Sequence, residues 1–535
     1  MENENEPLVV PPESEREKTE EGHTTSEENE IVRVENAETS ETAAQTAATD
    51  NAEDLPKKKG QRDMTEGVIW KQILAFALPI LLSNVIQRLY NAVDSIVVGR
   101  FVGHEALAAV GSNNSIINVF VSLFLGISVG AGVVVAQYYG AKDDEKLKKS
   151  VQTCAFLAIV SGIVLTIGGY FLAEPILKLV HTPENVMALS CEYLQIYFLG
   201  VLGTLVYNMG SGVILAVGDS KRPFLYLLFA CCLNIALDVV FVKTLGMGVA
   251  GAAWATLISQ YVSAILVTLR LLLTKQNYKL SFRHFKIDKP ILKNIFKVGL
   301  PAGLQSSMYS VGNLLIQSSL NTFGSVVMAG WVAAMKVDDF TYAPICSYGM
   351  AMNSFVGQNA GAKRMDRVKK GFYTALIMSV VTAVVIIVPV LILRGDVVRI
   401  FNKEADVVSV GSDIILHICP FYVIFGMCEV FSGTLKGLSK SLTAFIITFV
   451  GILLTRIIWL YTAVLMTHNL TVLFMIYPIS WVVTAAIYFI YLAVKKWDGM
   501  LDMTAEERFI EKLRHIGKKL SLIHISEPTR LGMIS

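Results

Sequence analysis

The chain has 535 residues, of which 53% are hydrophobic and 17% are charged, with a mean hydropathy of +0.53. A soluble domain usually carries about 25% charged residues, so this composition excludes an ordinary soluble globular protein. Residues 1–63 hold 18 Asp and Glu against 7 Lys and Arg, which leaves 26 acidic and 39 basic residues in the remainder. Those bases lie between apolar stretches rather than on one folded face. We therefore expect membrane lipid, and no nucleic acid, as a partner.

Residues 1–63 are rich in Glu, Ser, Thr and Ala. A segment with so few apolar residues cannot form a core, which predicts a disordered acidic tail. It also lacks the basic start and apolar centre of a cleavable secretory signal.

From Trp70 onward the chain is organised as long apolar runs joined by short polar turns. At about 1.5 Å per residue, each run is long enough to cross a hydrocarbon core of about 30 Å. The runs are continuous and lack the short alternating segments of a membrane β-barrel, so helices are predicted. The fold class is therefore an all-α polytopic membrane protein. The twelve predicted spans are 72–98, 107–137, 150–173, 188–216, 222–242, 250–273, 291–320, 325–358, 371–394, 409–435, 441–465 and 470–494.

Lys and Arg residues are distributed unevenly between alternate turns. The even-numbered turns and their flanks carry twenty-one of them, and the odd-numbered turns carry six. Because cytoplasmic loops are enriched in these residues, both termini are predicted to be cytoplasmic, in a plasma-membrane protein. We divide the chain into a first lobe at 64–273, a cytoplasmic linker at 274–290, a second lobe at 291–494 and a cytoplasmic tail at 495–535.

The two lobes are predicted to be internal repeats. The segment 137–142, Gln-Tyr-Tyr-Gly-Ala-Lys, recurs at 358–363 as Gln-Asn-Ala-Gly-Ala-Lys, an offset of 221. Leu78 and Pro79 recur as Leu300 and Pro301, an offset of 222. Each repeat holds six spans, so the lobes enter the membrane in the same direction and are related by a pseudo-two-fold axis along its normal.

The first span carries a polar stripe at spacings of 3, 4 and 3, formed by Asn84, Gln87, Asn91 and Asp94. This spacing places all four on one helical face, so the stripe lines a cleft or forms interhelical hydrogen bonds. The equivalent positions of the second lobe are Ser306, Tyr309, Asn313 and Ile316. The polar face persists there without a carboxylate, which predicts a single ion site in the first lobe.

The fifth span carries Asn234 and Asp238 on one face. With Asp94, these side chains could bind Na⁺ through hard oxygen ligands or exchange a proton. The alternative for Asp238 is a solvated anchor near the membrane boundary, beside Lys243.

Intramembrane charges in the second lobe are further candidates, because burying each of them is unfavourable. Lys336 and Asp339 are three residues apart, which favours local neutralisation. Glu429 either contacts a cation in the cleft or pairs with Arg456. We expect Arg88, in the first span, to pair across helices or to extend towards the membrane surface.

The sequence lacks Walker A, H-E-x-x-H and clustered-cysteine motifs. We therefore expect neither an enzyme nor a cofactor, apart from a coupling ion, H⁺ or Na⁺.

Several segments together resemble the multidrug and toxic compound extrusion (MATE) transporters over about 65–495. They are the run 90–99, Tyr-Asn-Ala-Val-Asp-Ser-Ile-Val-Val-Gly, both Gln-x-x-Gly-Ala-Lys elements, and the segments at 216–221, 233–238 and 251–256. The resemblance implies an ion-coupled antiporter of two six-helix lobes that exports organic cations. It also implies a cation site at Asp94, Asn234 and Asp238, joined by Tyr193 and Thr256.

The expected function is multidrug efflux by a monomer, with organic cations bound in the cleft by Gln87, Asn91, Tyr309, Asn313 and Glu429. The alternatives are a lipid-linked saccharide flippase of the wider superfamily and, more distantly, a membrane receptor or enzyme. Two features depart from the family: span 7 has no acid, and Ser439 stands where Gly is preferred. We expect 521–535 to be a non-native extension.

Overall fold

The computed structural model describes residues 63–180, 182–281 and 287–502. The predicted acidic tail lies outside these residues except for Asp63, as does the final stretch 521–535. Helices and the turns between them make up the described residues.

Twelve long helices form the described part of the chain. Six belong to the first lobe and six to the second, joined by short turns and by the small helices Arg394–Arg399 and Leu470–Phe474. Their bounds are α1 Ile69–Phe101, α2 His104–Gly140, α3 Asp144–Leu179, α4 Glu184–Ala216, α5 Lys221–Thr244, α6 Gly248–Leu273, α7 Lys289–Leu320, α8 Ser325–Gly361, α9 Met365–Ile392, α10 Ala405–Gly437, α11 Ser441–Thr467 and α12 Ile476–Leu501.

The all-α fold with twelve helices in two lobes is confirmed. Among the described residues, ten of these helices are long and apolar enough to cross a membrane, α2 through its part Val121–Gly140. The two that fall short, α7 and α8, open the second lobe. Both carry polar side chains within their length, such as Gln305 in α7 and Asp338 and Asp339 in α8. Gln305 is hydrogen-bonded within its own lobe, to Ser432 and Thr448.

The first helix is shared between the lobes. Near its start, Ile73 and Phe76 are buried in a cluster with Phe355 and Phe372 of the second lobe. Near its end, Val98 is buried in a cluster of first-lobe residues. Helix α1 therefore begins in one lobe and ends in the other.

Helix α7 repeats this arrangement with the lobes exchanged. Ile291 and Ile295 are buried in a first-lobe cluster, and Ile316 and Leu320 are buried in a second-lobe cluster. The repeat in the sequence thus corresponds to two helices that cross between the lobes.

The repeated Gln-x-x-Gly-Ala-Lys elements join the lobes at their lysine-rich side, where the turns after α2 and α8 lie. Gln137 Nε2 donates to the Gly437 carbonyl at the end of α10, at 2.9 Å. Gln358 Nε2 donates to the Ala216 carbonyl at the end of α4, at 2.7 Å. Donors and acceptors are both related by the offset of 221, so each lobe caps a helix of the other.

Backbone packing accompanies these hydrogen bonds. A Cβ atom on Gly140 would collide with the Gln358 carbonyl oxygen, and one on Gly361 would collide with the Gln137 carbonyl oxygen. Deeper in the membrane, α2 crosses α7 with Gly126 directly against Gly303. Only glycine permits such close approach. The contact between the lobes on this side is therefore one of backbone against backbone.

A short strap, residues 63–67, fastens the start of α1 to the second lobe. The Arg367 guanidinium, 9% exposed, donates to the carbonyls of Met64, Glu66 and Gly67 at 3.0–3.1 Å. The Met64 backbone N–H donates to Gln358 Oε1 at 3.0 Å. The strap is thus bound by the same glutamine that caps α4.

The glycine contact yields a first prediction. Gly140→Ala places a methyl group against backbone, which cannot move aside as a side chain can, and overpacking of this kind costs about 1–3 kcal/mol. We expect a lower midpoint of thermal unfolding and loss of transport. Gly111→Ala in the same helix is the matched control, because no atom lies within 4 Å of its added Cβ. Equal midpoints and full transport in both variants would contradict this packing.

The strap yields a second prediction. Arg367→Gln removes the charged donor shared by three carbonyls, a loss of about 2 kcal/mol in the free energy of local opening. Amide hydrogen exchange at residues 64–67 should accelerate by at least tenfold. Lys370→Gln, an exposed substitution on the same helix, should leave exchange unchanged. Equal protection in both variants would show that the strap is held by other contacts.

Candidate functional site

The polar stripe of α1 divides into an exposed part and a buried part. Gln87 and Asn91 are exposed, as is the neighbouring Arg88, and Asn84 is half-buried, whereas Asp94 is 7% exposed. The exposed part faces the second lobe, since Asn84 and Arg88 both contact α8. We call the space between this face of α1 and the facing side chains of α7, α8 and α10 the central cleft. Asp94 lies beyond it, within the first lobe.

The five predicted ion-site residues are all buried in the first lobe. Asp94 of α1 and Asp238 of α5 are electrostatic neighbours, and Tyr193 of α4 interacts with both. Thr256 of α6 joins the group through its bond to Tyr90 of α1. Exposed fractions are Asp94 7%, Tyr193 3%, Asn234 0%, Asp238 0% and Thr256 3%. Asp238 is fully buried, so the alternative of a solvated anchor beside Lys243 is wrong.

Several oxygen atoms of this cluster have no hydrogen-bond partner in the described part of the chain. They are Asp94 Oδ1, Asn234 Oδ1 and both carboxylate oxygens of Asp238. A buried polar atom without a partner is unfavourable by about 1–3 kcal/mol, and more when it is charged. The geometry therefore suits a small cation or a proton, which would satisfy oxygen acceptors.

The hydrogen bond between Tyr90 and Thr256 was not predicted from the sequence. The Tyr90 hydroxyl donates to Thr256 Oγ1 at 3.0 Å and ties α1 to α6 beside the cluster. Tyr90 lies four residues before Asp94 and so shares its helical face. The same spacing rule that identified the stripe could have identified this residue.

The second lobe presents a different set of side chains to the cleft. The Tyr309 hydroxyl donates to Glu429 Oε1 at 3.4 Å, which brings together two of the predicted substrate-binding residues. Glu429 also lies within electrostatic range of Lys436, one of its own helix's residues.

Arg456 does not pair with Glu429, so that alternative is wrong. Its guanidinium donates to Asn313 Oδ1 at 3.2 Å and to Ser480 Oγ at 3.4 Å, and it lies over the Tyr477 ring at 4.4 Å. Asn313, predicted to bind substrate, is thus engaged by Arg456 and Tyr477. Three helices supply these contacts, and residue spacing within one helix does not reveal them.

Two residues that contact Arg456 have repeat-related counterparts in helices α6 and α1 of the first lobe. Tyr477 corresponds to Thr256 at an offset of 221, and Asn313 corresponds to Asn91 at an offset of 222. Where the first lobe buries two carboxylates, the second lobe buries a permanent cation, 1% exposed. The second lobe therefore differs from the first by more than the replacement of Asp94 with Ile316, because it also buries a positive charge.

Asp339 pairs with Arg88 and not with Lys336. Arg88 Nη1 lies 2.6 Å from Asp339 Oδ1, and the bond joins α1 of the first lobe to α8 of the second. The predicted local neutralisation by Lys336 is wrong, because the Arg88 side chain from the other lobe reaches the carboxylate. The expected pairing of Arg88 across helices is confirmed.

Metal-binding clusters of three or more His, Cys, Asp or Glu side chains are not found among residues 63–180, 182–281 and 287–502.

A family model described as MatE matches residues 79–240 and, again, residues 301–462. The matches begin at Pro79 and Pro301, the interior prolines of α1 and α7. The chain belongs to the MATE family. MATE proteins are transporters, so this is a multi-pass membrane transporter and not an enzyme.

Two named relatives align with most of this MATE chain. It is 32% identical over 397 residues to the probable multidrug resistance protein YpnP of Bacillus subtilis, across 74% of this chain and 88% of the relative. It is 22% identical over 372 residues to the multidrug export protein MepA of Staphylococcus aureus, across 69% of this chain and 82% of the relative.

Solved structures show the same fold. One, described as the outward-facing conformation of a multidrug resistance MATE family transporter of the MOP superfamily, aligns with a TM-score of 0.77 at 23% identity. The alignment covers 83% of this chain and 99% of that one. A MOP superfamily transporter from Pyrococcus furiosus, described as having a binding pocket of reverse polarity, aligns with a TM-score of 0.78 at 23% identity, with the same coverage.

The bond between Tyr90 and Thr256 yields a third prediction. Thr256→Val removes the acceptor and leaves the Tyr90 hydroxyl without a partner, which should lower the free energy of unfolding by about 1 kcal/mol. Thr256→Ser keeps the hydroxyl and is the matched control. Thermal unfolding of the purified MATE protein in detergent measures the difference. In a Tyr90→Phe background the effect of Thr256→Val should disappear, and an undiminished effect there would contradict the bond.

Proposed function

We propose that this MATE transporter is a secondary active multidrug efflux antiporter that exports organic cations in exchange for H⁺ or Na⁺. The observation that carries the proposal is the cluster of buried oxygens of Asp94, Asn234 and Asp238 in the first lobe, which have no hydrogen-bond partner among the described residues. Such a cluster is unfavourable unless a cation satisfies it, so ion entry releases free energy. The multidrug resistance names of the relatives support the export of varied organic compounds.

Helix α1 provides the link between ion and substrate. It carries Asp94 of the cluster and, on its exposed face, Gln87 and Asn91 of the cleft. Its beginning packs in the second lobe and its end in the first. A cation or proton at Asp94 would change the forces on a helix that touches both lobes. A ligand can shift a conformational equilibrium only by its differential affinity for the two states. Because α1 contacts both lobes, the affinity of Asp94 for the ion can differ between the two conformations.

The cleft favours positively charged compounds. Glu429 and Tyr309 are joined on its second-lobe side, and Asp338 and Asp339 of α8 lie near Arg88. We propose Gln87, Asn91, Tyr309 and Glu429 as substrate contacts. Asn313, held by Arg456, would contact substrate only after exchanging that partner.

The acidic second-lobe wall also bears on the alternative function. A flippase for lipid-linked saccharides carries a phosphate-bearing substrate and would favour basic side chains. Three acids on the described second-lobe side of the cleft favour an organic cation instead.

The remaining expectations are part of the same proposal. One chain supplies both lobes and hence a whole cleft, which supports action as a monomer surrounded by lipid. The concentration of Lys and Arg at one side supports a plasma-membrane orientation with both termini in the cytoplasm.

Transport in liposomes provides the fourth prediction. Purified protein should move ethidium when a pH gradient or a Na⁺ gradient is imposed, and Asp94→Asn should lose at least nine-tenths of the gradient-driven rate. The amide keeps the size of the side chain but lacks the charge that the ion requires. The gradient that drives movement identifies the ion.

An exposed acid of the second lobe provides the control for that experiment. Asp413→Asn should transport at the rate of the unmodified protein. Full gradient-driven activity in Asp94→Asn would overturn the assignment of the ion site. Movement of a fluorescent lipid-linked saccharide, without ethidium movement under either gradient, would favour the flippase.

A further inference from the structure

The ion pair between Arg88 and Asp339 spans the central cleft. Arg88 is in the middle of α1 and Asp339 is in the middle of α8, so the bond joins the two lobes within the membrane part of the molecule. Their side chains are 43% and 34% exposed, respectively, so the pair lies where a bound compound could reach it. The Arg88 guanidinium of the first lobe thus forms an ion pair with the Asp339 carboxylate of the second.

The surroundings of the pair are acidic and include predicted substrate contacts. Asp338 lies within electrostatic range of Arg88 and has no hydrogen bond or ion pair to any residue that the structure describes. Cys346, about two helical turns beyond Asp339 on the same face of α8, lies within electrostatic range of both Arg88 and Glu429. The charged groups facing this wall are therefore the acids Asp338, Asp339 and Glu429 and the bases Arg88 and Lys436.

The Arg88 side chain is chemically similar to the substrates of the proposed function. A guanidinium on an aliphatic stem is an amphipathic organic cation, tethered here to α1. Its neighbours on the same exposed face, Gln87 and Asn91, are proposed substrate contacts. An incoming organic cation and Arg88 would therefore seek the same carboxylate from the same side of the cleft.

We propose that Arg88 is a tethered competitor that occupies Asp339 until an organic cation displaces it, and that it thereby determines specificity. This inference rests on the proposed function, because it requires the cleft to bind organic cations. Exposed ion pairs are weak, about 0.2–1 kcal/mol, so displacement is readily achieved by a compound that makes additional contacts. A cation too small to add contacts to Glu429 or Tyr309 is rejected, since Arg88 competes with it on equal terms.

Binding measurements on purified full-length protein in detergent test the proposal. The probes are ethidium, followed by fluorescence, and tetraphenylphosphonium, followed by calorimetry. Arg88→Gln removes the competitor and should tighten the binding of both cations by about fivefold, the equivalent of about 1 kcal/mol. Asp339→Asn removes the shared acceptor and should weaken binding. In the double variant, Arg88→Gln should have no further effect.

A matched ion pair away from the cleft provides the control. Arg399 and Asp396 pair at 2.9 Å within one short helix, with side chains 65% and 69% exposed. Arg399→Gln removes the same charge and should leave cation affinity unchanged. An affinity gain of equal size in Arg399→Gln would mean that net charge alone attracts the probes, and would overturn the role of Arg88.

The remaining outcomes separate this inference from the proposed function. If unmodified protein binds both cations but Arg88→Gln binds them equally or more weakly, the inference fails and the function stands. If unmodified protein binds neither cation, the proposed function fails and the inference fails with it. Elution as one symmetric species and an unfolding midpoint within a few degrees of the unmodified protein establish that each variant is folded.

Discussion

Backbone contact between the lobes at the lysine-rich side is the constraint on which this structure depends. Gly140 and Gly361 admit the opposing carbonyls, and Gln137 and Gln358 each cap a helix of the other lobe. Because these contacts are made by glycine and main chain, they have little room to adjust gradually. A packed interface of this kind is either formed or broken, which is the behaviour that a two-state transporter requires.

Two helices connect that interface to the interior. Helix α1 begins in the second lobe next to the strap, and its end, which carries Asp94, lies in the first lobe. Helix α7 begins in the first lobe and ends in the second. Of the two buried carboxylates, Asp94 belongs to the crossing helix α1 and Asp238 to α5, whereas the corresponding part of the second lobe holds Arg456. The lobes are therefore alike in architecture and opposite in buried charge. Buried oxygen atoms of the first-lobe cluster have no hydrogen-bond partner among the described residues, whereas Arg456 of the second lobe is hydrogen-bonded.

Much of this arrangement could be predicted from the sequence. Apolar run lengths gave the twelve helices, the offset of 221 gave the two lobes, and helical spacing brought Asp94 and the pair Asn234 and Asp238 to notice. What could not be predicted is contact between residues far apart in the chain. Lys336 stood at helical spacing from Asp339, yet Arg88, 251 residues away, reaches that carboxylate. The contacts that Arg456 makes with α7 and α12 could not be predicted for the same reason.

The structure explains how Ser439 is accommodated at a position where the family prefers glycine. It adopts the left-handed backbone conformation, with φ of 60°, that Gly218 adopts at the equivalent position of the first lobe. Its hydroxyl accepts from Gln137 Nε2 at 2.9 Å. The side chain that glycine lacks therefore adds a bond to the contact between the lobes, which offsets part of the strain of a non-glycine residue in this region.

The central claim is that an ion at Asp94 changes how the two lobes meet. The most direct test places spin labels at the exposed, repeat-related positions Glu145 and Asp366, in protein whose native cysteines have been replaced, and measures the distance between them with and without Na⁺ and at two values of pH. The distance distribution should shift with one of the two ions, and Asp94→Asn should abolish the shift. An ion-dependent shift that persists in Asp94→Asn would contradict the claim.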